Sequence, residues 1–404
     1  MRLLIYINMK ILLLYPYPLE PDGQSLQGHY LAEGLKENGV EVISCDRADN
    51  FTKEKLYEEF KPDAVIGIGF WGNVPELVLH PLKHKMNVAP WFNADGWVAN
   101  YHDTLNALPL LITTSDWVRS TYIRDGVKGD NIKICHIGYN PSVFFSRQRD
   151  DEIMNVRRKL GIEDNEIMIL TAGGDVTSKG AQEMLRALAK IGNRFTKWKY
   201  VLKIWPSFSA DNHGNEERKL IEELGLDKNK FVYLNNTLNP RAMARLINAC
   251  DIYAAPSRLE GFGMIQVEAM ACGKPVISIN VGGPRDTIIH EKTGFLVDVE
   301  HEIKLEREWV YPSMGFDKQV LIEFPRPKTF AYRANTEQLA EYTLRLMQDK
   351  ELREKMGKAA AEHALKNFHY KVIAGKMLEL IEKNILNKNQ STSQLKPSLL
   401  SSKK

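Results

Sequence analysis

Short apolar runs alternate with amphipathic helical stretches along most of this chain, and they do so in two successive series. The first series has runs near Ile11–Tyr15, Glu41–Cys45, Ala64–Ile68, Val88–Asn93, Leu110–Thr114 and Ile132–Ile137. The second has Ile167–Ala172, Tyr200–Ile204, Phe231–Leu234, Ile252–Ala255, Val276–Ile279 and Phe295–Val297. A parallel strand buried on both faces reads as a continuous apolar run, whereas the helix crossing back over the sheet keeps one polar side. The alternation therefore predicts β-α-β units and parallel sheets. Two series predict an α/β protein of two Rossmann-like, doubly wound domains facing a cleft, with ligands at the carboxyl ends of the strands.

The expected divisions are an N-terminal domain over 1–148, a second domain over 149–369, a helix over 370–386 and a disordered tail over 387–404. The first boundary falls in the charged stretch Ser146–Asp151, ahead of a helix over Glu152–Leu160. A helix is expected over Gly28–Asn38, stopped by Gly39, and helical text runs from Thr336 to Lys383. His301–Arg333 has no clean period and reads as an inserted loop or short hairpin. The tail is rich in Ser, Lys and Gln.

With 404 residues, 44% of them hydrophobic and 26% charged, the chain suits a globular enzyme of two or three domains. A net charge of +3 is too small for the footprint of a nucleic-acid-binding protein. The four cysteines (Cys45, Cys135, Cys250, Cys272) show no paired spacing, so they read as buried reduced thiols of a cytoplasmic protein and not as a zinc site. The start, Met1–Asn8, resembles a signal h-region, but Asn8 and Lys10 interrupt it and no small-residue cleavage site follows. Met9 is then the expected natural start. No run is long enough to span a bilayer, while basic text such as His80–Lys85 permits loose contact with an anionic membrane surface.

Chemistry concentrates in Pro256-Ser257-Arg258-Leu259-Glu260-Gly261-Phe262-Gly263-Met264-Ile265-Gln266-Val267-Glu268-Ala269-Met270-Ala271-Cys272-Gly273. Glu260 and Glu268 stand eight positions apart, separated by a glycine-bearing loop that turns into a helix start. Phosphate oxygens favour helix N-terminal amides, and carboxylates accept hydrogen bonds from sugar and ribose hydroxyls. The pattern suits a sugar joined to a nucleotide diphosphate.

The string resembles the Glu-x7-Glu signature of retaining glycosyltransferases with the GT-B fold, glycosyltransferase family 4 (group 1). The resemblance continues through Ala271–Ile277 and Gly282-Gly283-Pro284-Arg285-Asp286 and ends at Lys292–Val297. It implies that the last helix crosses back to the first domain. It also implies that Glu268 binds the ribose and Glu260 the donor sugar, and that the amides of Gly261, Phe262 and Gly263 approach sugar and phosphates. Lys179, in Ala172-Gly173-Gly174-Asp175-Val176-Thr177-Ser178-Lys179-Gly180, matches the family's phosphate-binding lysine. The family's arginine position falls on Gly174, and a bidentate guanidinium is not replaced by glycine. Loop amides from Gly173 to Asp175 can form an anion nest there, or another base such as Lys203 or Arg258 can substitute; the glycines favour the nest with Lys179.

The nucleotide base is expected near Leu234–Pro240, with Leu238 among its contacts; the same loop also reads as a helix cap with Asn239 before Pro240. Asp95 occupies the place where many family members carry a His. It reads equally as a group that steadies donor charge and as an Asx-turn residue ahead of Gly96. Gly23 or Gly28 can let the first-strand loop approach the donor, and His29 reads as a base or as a surface residue. Trp71, Trp91, Phe92, Trp97 and Tyr101 form either an acceptor cleft or core packing.

The expected activity is retaining hexosyl transfer from a nucleotide diphosphate sugar, a UDP-sugar before GDP-mannose, to a hydroxyl acceptor in a glycan, glycolipid or small glycoside. The resemblance implies an enzyme independent of metal, with no cofactor beyond its sugar-nucleotide substrate. The alternative is a catalytically degenerate sugar-nucleotide-binding subunit, to which the missing arginine points.

Overall fold

The protein was analysed as a computed structural model that describes residues 9–20, 22–94, 96–205 and 208–387, the side chains of 208–211 excepted. It divides into two compact units. The first comprises Met1–Gly138, Glu308–Ile322 and Tyr370–Lys404; the second comprises Tyr139–Arg307 and Glu323–His369.

The first unit is built on β1 (Lys10–Tyr15), β2 (Glu41–Asp46), β3 (Ala64–Phe70), β4 (Val88–Asn93), β5 (Leu111–Thr113) and β6 (Ile132–Ile134). They form one sheet in the order β2-β1-β3-β4-β5-β6, every pair parallel. The second unit holds β7 (Ile167–Ala172), β8 (Trp198–Ile204), β9 (Phe231–Asn235), β10 (Ile252–Ala255), β11 (Val276–Ile279) and β12 (Gly294–Val297). Their order is β12-β11-β10-β7-β8-β9, again all parallel. Central strands such as β7 and β10 are buried at every position, which is why they read as unbroken apolar runs.

The helix expected from Gly28 begins earlier, at Gly23, because the Asp22 carboxylate accepts the amide hydrogens of Gln24 (2.8 Å) and Ser25 (3.1 Å). The long helical text near the end is three helices: Thr336–Gln348, Lys350–Phe368 and Tyr370–Ile381. Asp349 makes the first break by capping the second helix through the Leu352 amide at 2.8 Å. Within the first unit, Tyr370–Ile381 lies on Gly23–Glu37, and Asn38 Nδ2 donates to the Lys371 carbonyl at 3.0 Å.

Of the two readings of the 301–333 segment, the hairpin holds, with strands longer than expected. It forms β13 (Val299–Val310) and β14 (Val320–Ala334), a two-stranded ribbon with its own turn. Strand text that alternates charged with apolar residues and packs on one face gives no helical period. Its tip belongs to the first unit, where Met314 and Phe316 pack against the core cluster. There Asn100 Nδ2 donates to the carbonyls of Met314 (3.2 Å) and Gly315 (3.0 Å).

The cysteines are free and buried; burial pushes the thiols of Cys135 and Cys250 up to about 12. Among the described residues, no helix is long and apolar enough to cross a membrane. The expectations for Met1–Asn8 and for the tail beyond Asn387 lie outside the described residues.

Gly34 tests the helix pairing. A Cβ there would stand 2.5 Å from the Tyr370 carbonyl oxygen, a backbone atom that cannot swing aside. In an open helix Gly→Ala gains about 1 kcal/mol. Here overpacking of about 1–3 kcal/mol opposes and exceeds that gain, so Gly34→Ala is expected to lower the thermal midpoint.

Candidate active site at the reversal point of the second sheet

The second sheet grows in both directions from β7, with β8 and β9 on one side and β10, β11 and β12 on the other. The loops that leave β7 and β10 therefore diverge from neighbouring strand ends, and such a reversal opens a crevice at the carboxyl edge. The β7 loop carries Gly173, Gly174 and Lys179; the β10 loop carries Pro256 to Gly263.

Backbone contacts hold the two loops together. The Arg258 amide donates to the Ser178 carbonyl at 2.9 Å. Gly180 has φ +87°, and a Cβ there would lie 2.3 Å from the Pro256 carbonyl oxygen, so this approach requires glycine. Lys179 Nζ then reaches Glu260 Oε2 at 2.7 Å, with side chains 25% and 15% exposed. The lysine stem runs over Gly173, whose Cβ would meet Lys179 Cγ at 2.8 Å. Ser257 Oγ, itself buried, stands 3.4 Å from the same carboxylate oxygen.

A third segment shapes the β10 loop from behind. The Gly283 amide donates to the Glu260 carbonyl at 2.9 Å, and a Cβ at Gly283 would lie 2.3 Å from Phe262 Cα. The helix Met264–Ala271 starts at Gly263 (φ +95°), a cap with no side chain to compete for the first-turn amides. Glu268 follows in its second turn and is 4% exposed. Lys179, Glu260, Gly173, Gly174, Gly261, Phe262 and Gly263 thus lie on two neighbouring loops of one unit, and Glu268 in the helix that continues one of them.

Two alternatives for the missing arginine change. The Gly173 amide donates to the Lys203 carbonyl at 3.1 Å, so the strand ladder uses it and an anion nest loses that donor. Arg258 is committed elsewhere: its guanidinium donates to Glu183 Oε1 (3.2 Å) and Gln182 Oε1 (2.9 Å). Glu183, 5% exposed, also takes Arg333 Nε at 3.4 Å. Burial first, then repulsion from Arg258, lowers the Arg333 pKa.

The remaining sequence candidates disperse. Leu238 is half-buried in the loop after β9, where Asn239 caps the next helix by accepting the Ala242 amide at 2.9 Å. In the first unit, Asp95 lies outside the described residues. Gly23 is the exposed first residue of its helix. Gly28 is a packing glycine, its Cβ position filled by the Tyr15 ring at 2.4 Å. His29 is half-buried, and burial lowers its pKa. Trp71 and Trp91 are core residues, 2% and 1% exposed, with indole N–H groups donating to the carbonyls of Trp97 (2.7 Å) and Cys135 (2.8 Å). Sequence reading passed over Glu54, His80 and His84, whose ligand-type atoms lie within 4.8 Å of one another. Only the four-residue spacing of the histidines hinted at that group.

Residues 152–308 match the family model described as glycosyl transferases group 1. An uncharacterized glycosyltransferase of Methanocaldococcus jannaschii is 33% identical over 46% of this chain and 42% of its own length. A D-inositol 3-phosphate glycosyltransferase of Pseudarthrobacter chlorophenolicus is 30% identical over 48% of this chain and 45% of its own. The chain thus spans less than half the length of these curated relatives. Among solved structures, Anabaena HepE in complex with UDP and glucose superposes with a TM-score of 0.71 at 17% identity, over 93% of this chain and 100% of that one. A sucrose-phosphate synthase of Thermosynechococcus elongatus gives 0.68 at 18% identity, over 94% and 100%. At such identities the likeness establishes the fold alone, and that fold is GT-B.

Glu183→Ala would leave two guanidiniums of a largely buried cluster without their carboxylate. Removing one partner of a buried pair costs about 3–5 kcal/mol; the partial exposure of both arginines puts this case at about 3 kcal/mol. Urea denaturation is expected to show that loss.

Proposed function

We propose that this protein is a retaining hexosyltransferase that takes a nucleotide diphosphate sugar, a UDP-sugar before GDP-mannose, as donor and a hydroxyl group as acceptor. The reading rests chiefly on Lys179 Nζ held 2.7 Å from Glu260 at the reversal point, with Glu268 eight positions further along, in the second turn of the following helix. The UDP and glucose bound by the fold relative HepE favour the same donor class.

In this account Glu268 accepts hydrogen bonds from the ribose hydroxyls, and Glu260 from hydroxyls of the donor sugar. Lys179 lies between Glu260 and the leaving diphosphate, so its position is fixed before the donor arrives. The bond from the anomeric carbon to the β-phosphate oxygen breaks as the acceptor oxygen forms its bond on the same face. The acceptor proton passes to the leaving phosphate. Such a reaction needs positioning and stabilisation of developing charge more than a strong protein base. Lysine and loop amides carry that load here in place of a metal ion, and the enzyme works in the cytoplasm, with at most loose contact with a membrane surface.

Binding is tested by thermal shift with UDP, GDP and ADP. A nucleotide that binds only the folded state at 100 times its Kd adds about 2.7 kcal/mol. One nucleotide is expected to raise the midpoint of the wild type and to leave Glu268→Ala unmoved; no shift with any would favour the degenerate-subunit reading. Catalysis is tested by Lys179→Ala. Loss of one charge-stabilising donor lowers turnover by about 100- to 1,000-fold, and the far-UV circular dichroism spectrum is expected to stay unchanged. Normal turnover by that variant would contradict the assigned role.

A further inference from the structure

The position that should hold a second phosphate-binding cation is Gly174, and a Cβ there would meet nothing closer than the Trp205 ring at 3.8 Å. That ring leads to an unassigned charge. Lys203 Nζ stands 4.6 Å from the Trp205 ring centroid. Lys203 is 5% exposed. No carboxylate, carbonyl or hydroxyl among the described residues takes a hydrogen bond or ion pair from its ammonium. A cation over an aromatic face is attracted to it, and no acceptor among the described residues engages its three N–H donors.

A buried lysine with a structural task looks different in this protein. Lys53, 0% exposed, donates to the carbonyls of Arg47 (2.7 Å) and Glu76 (3.2 Å). Among the described residues Lys203 has no such partners, and burial alone lowers its pKa. A largely buried ammonium with no counter-charge among the described residues is costly to the fold. Its presence inside a strand therefore asks for an anion that arrives later.

Position says which anion. Lys203 is the penultimate residue of β8, paired with Ala172, the last residue of β7. Tyr200, Leu202 and Ile204 point into the core beside the helix Ala181–Ile191, so Lys203 and Trp205 lie on the opposite face of the strand. Right-handed crossovers on either side of the reversal put the helix Met264–Ala271, which carries Glu268, on that same face. The Trp205 amide donates to the Gly174 carbonyl at 3.1 Å, and its indole Nε1 donates to Thr237 Oγ1 at 3.1 Å. The indole is thereby fixed between the glycine loop and the loop after β9, with the ammonium against it.

We propose that Lys203, held by Trp205, is a phosphate-binding residue of the donor site and takes the diphosphate of a nucleoside diphosphate in place of the guanidinium absent at Gly174. This rests on the donor reading of the same site. The cation comes from a different strand than the family pattern supplies, and it reaches the crevice beside Gly174 because glycine leaves that space open.

The test is titration calorimetry of UDP, GDP and ADP against the wild type and Lys203→Met, with urea unfolding of both proteins. The methionine keeps the stem and removes the charge. Lys203→Met is expected to bind the wild type's nucleotide about 10- to 100-fold more weakly, the range for a lost hydrogen bond to a charged group. Its affinity should also fall less steeply with added salt. Its urea midpoint should stay at or above that of the wild type, because an unpaired buried charge has been replaced by an apolar side chain. Unchanged affinity would overturn the proposal, and so would weakened affinity with a lowered urea midpoint, which marks a structural lysine. A wild type that binds none of the three nucleotides would overturn this inference and the donor reading together; retained wild-type binding with an unaffected variant would overturn this inference alone.

Discussion

The site depends on how closely two backbones approach at the carboxyl ends of β7 and β10. Gly180 lets the β7 loop pass against the Pro256 carbonyl, and Gly283 lets a third segment press on Phe262. Any side chain at either position would collide with backbone, which has no rotamer to move to. With the loops so fixed, Lys179 and Glu260 meet at 2.7 Å without a ligand to draw them together. The ion pair follows from the packing of glycines and in turn sets where a substrate's charge can go.

The arginines and lysines of the second unit divide by what faces them. Arg258 and Arg333 share Glu183, and buried Arg157 donates to Asp251 and to three carbonyls; these cations are occupied by the fold. Lys179 is held by one carboxylate and is a quarter exposed, so it can share its donors with a phosphate. Lys203 is buried with an indole as its neighbour. The charges least committed to the fold are thus Lys179 and Lys203, on the β7 loop and at the end of β8. Electrostatic catalysis favours such an arrangement, because fixed charges need little reorganisation when the leaving group develops its own.

Much of this was legible in the sequence because the signals were local. All twelve strands of the two parallel sheets coincide with runs read from the sequence; the central ones, such as β7 and β10, are buried at every position and leave no other composition open, while the edge strands β2 and β9 are only partly buried. The Pro256–Gly273 string announced its loop and helix through Gly263 and Gly273, both at positive φ, where other side chains are strained. The rest failed where the answer lay far along the chain. Arg258 looks available until Glu183 is brought beside it, 75 positions away. Gly28 looks like a point of close backbone approach to a donor until the Tyr15 ring fills its place. The 301–333 hairpin was left beside a loop reading and its strand length went unread, because its largely exposed strands carry charged residues among the apolar ones. The Gly173 amide looked free because ladder pairing with β8 cannot be read from a loop's own residues.

A crystal structure with UDP bound tests the central claim most directly, since it places the ligand against named side chains. The account predicts the nucleotide at the carboxyl edge of the second sheet. Ribose hydroxyls would lie on Glu268, and a phosphate oxygen within hydrogen-bonding distance of Lys179 Nζ. UDP seated at the amino ends of the strands, or at the carboxyl edge with Lys179 and Glu268 untouched, would contradict it.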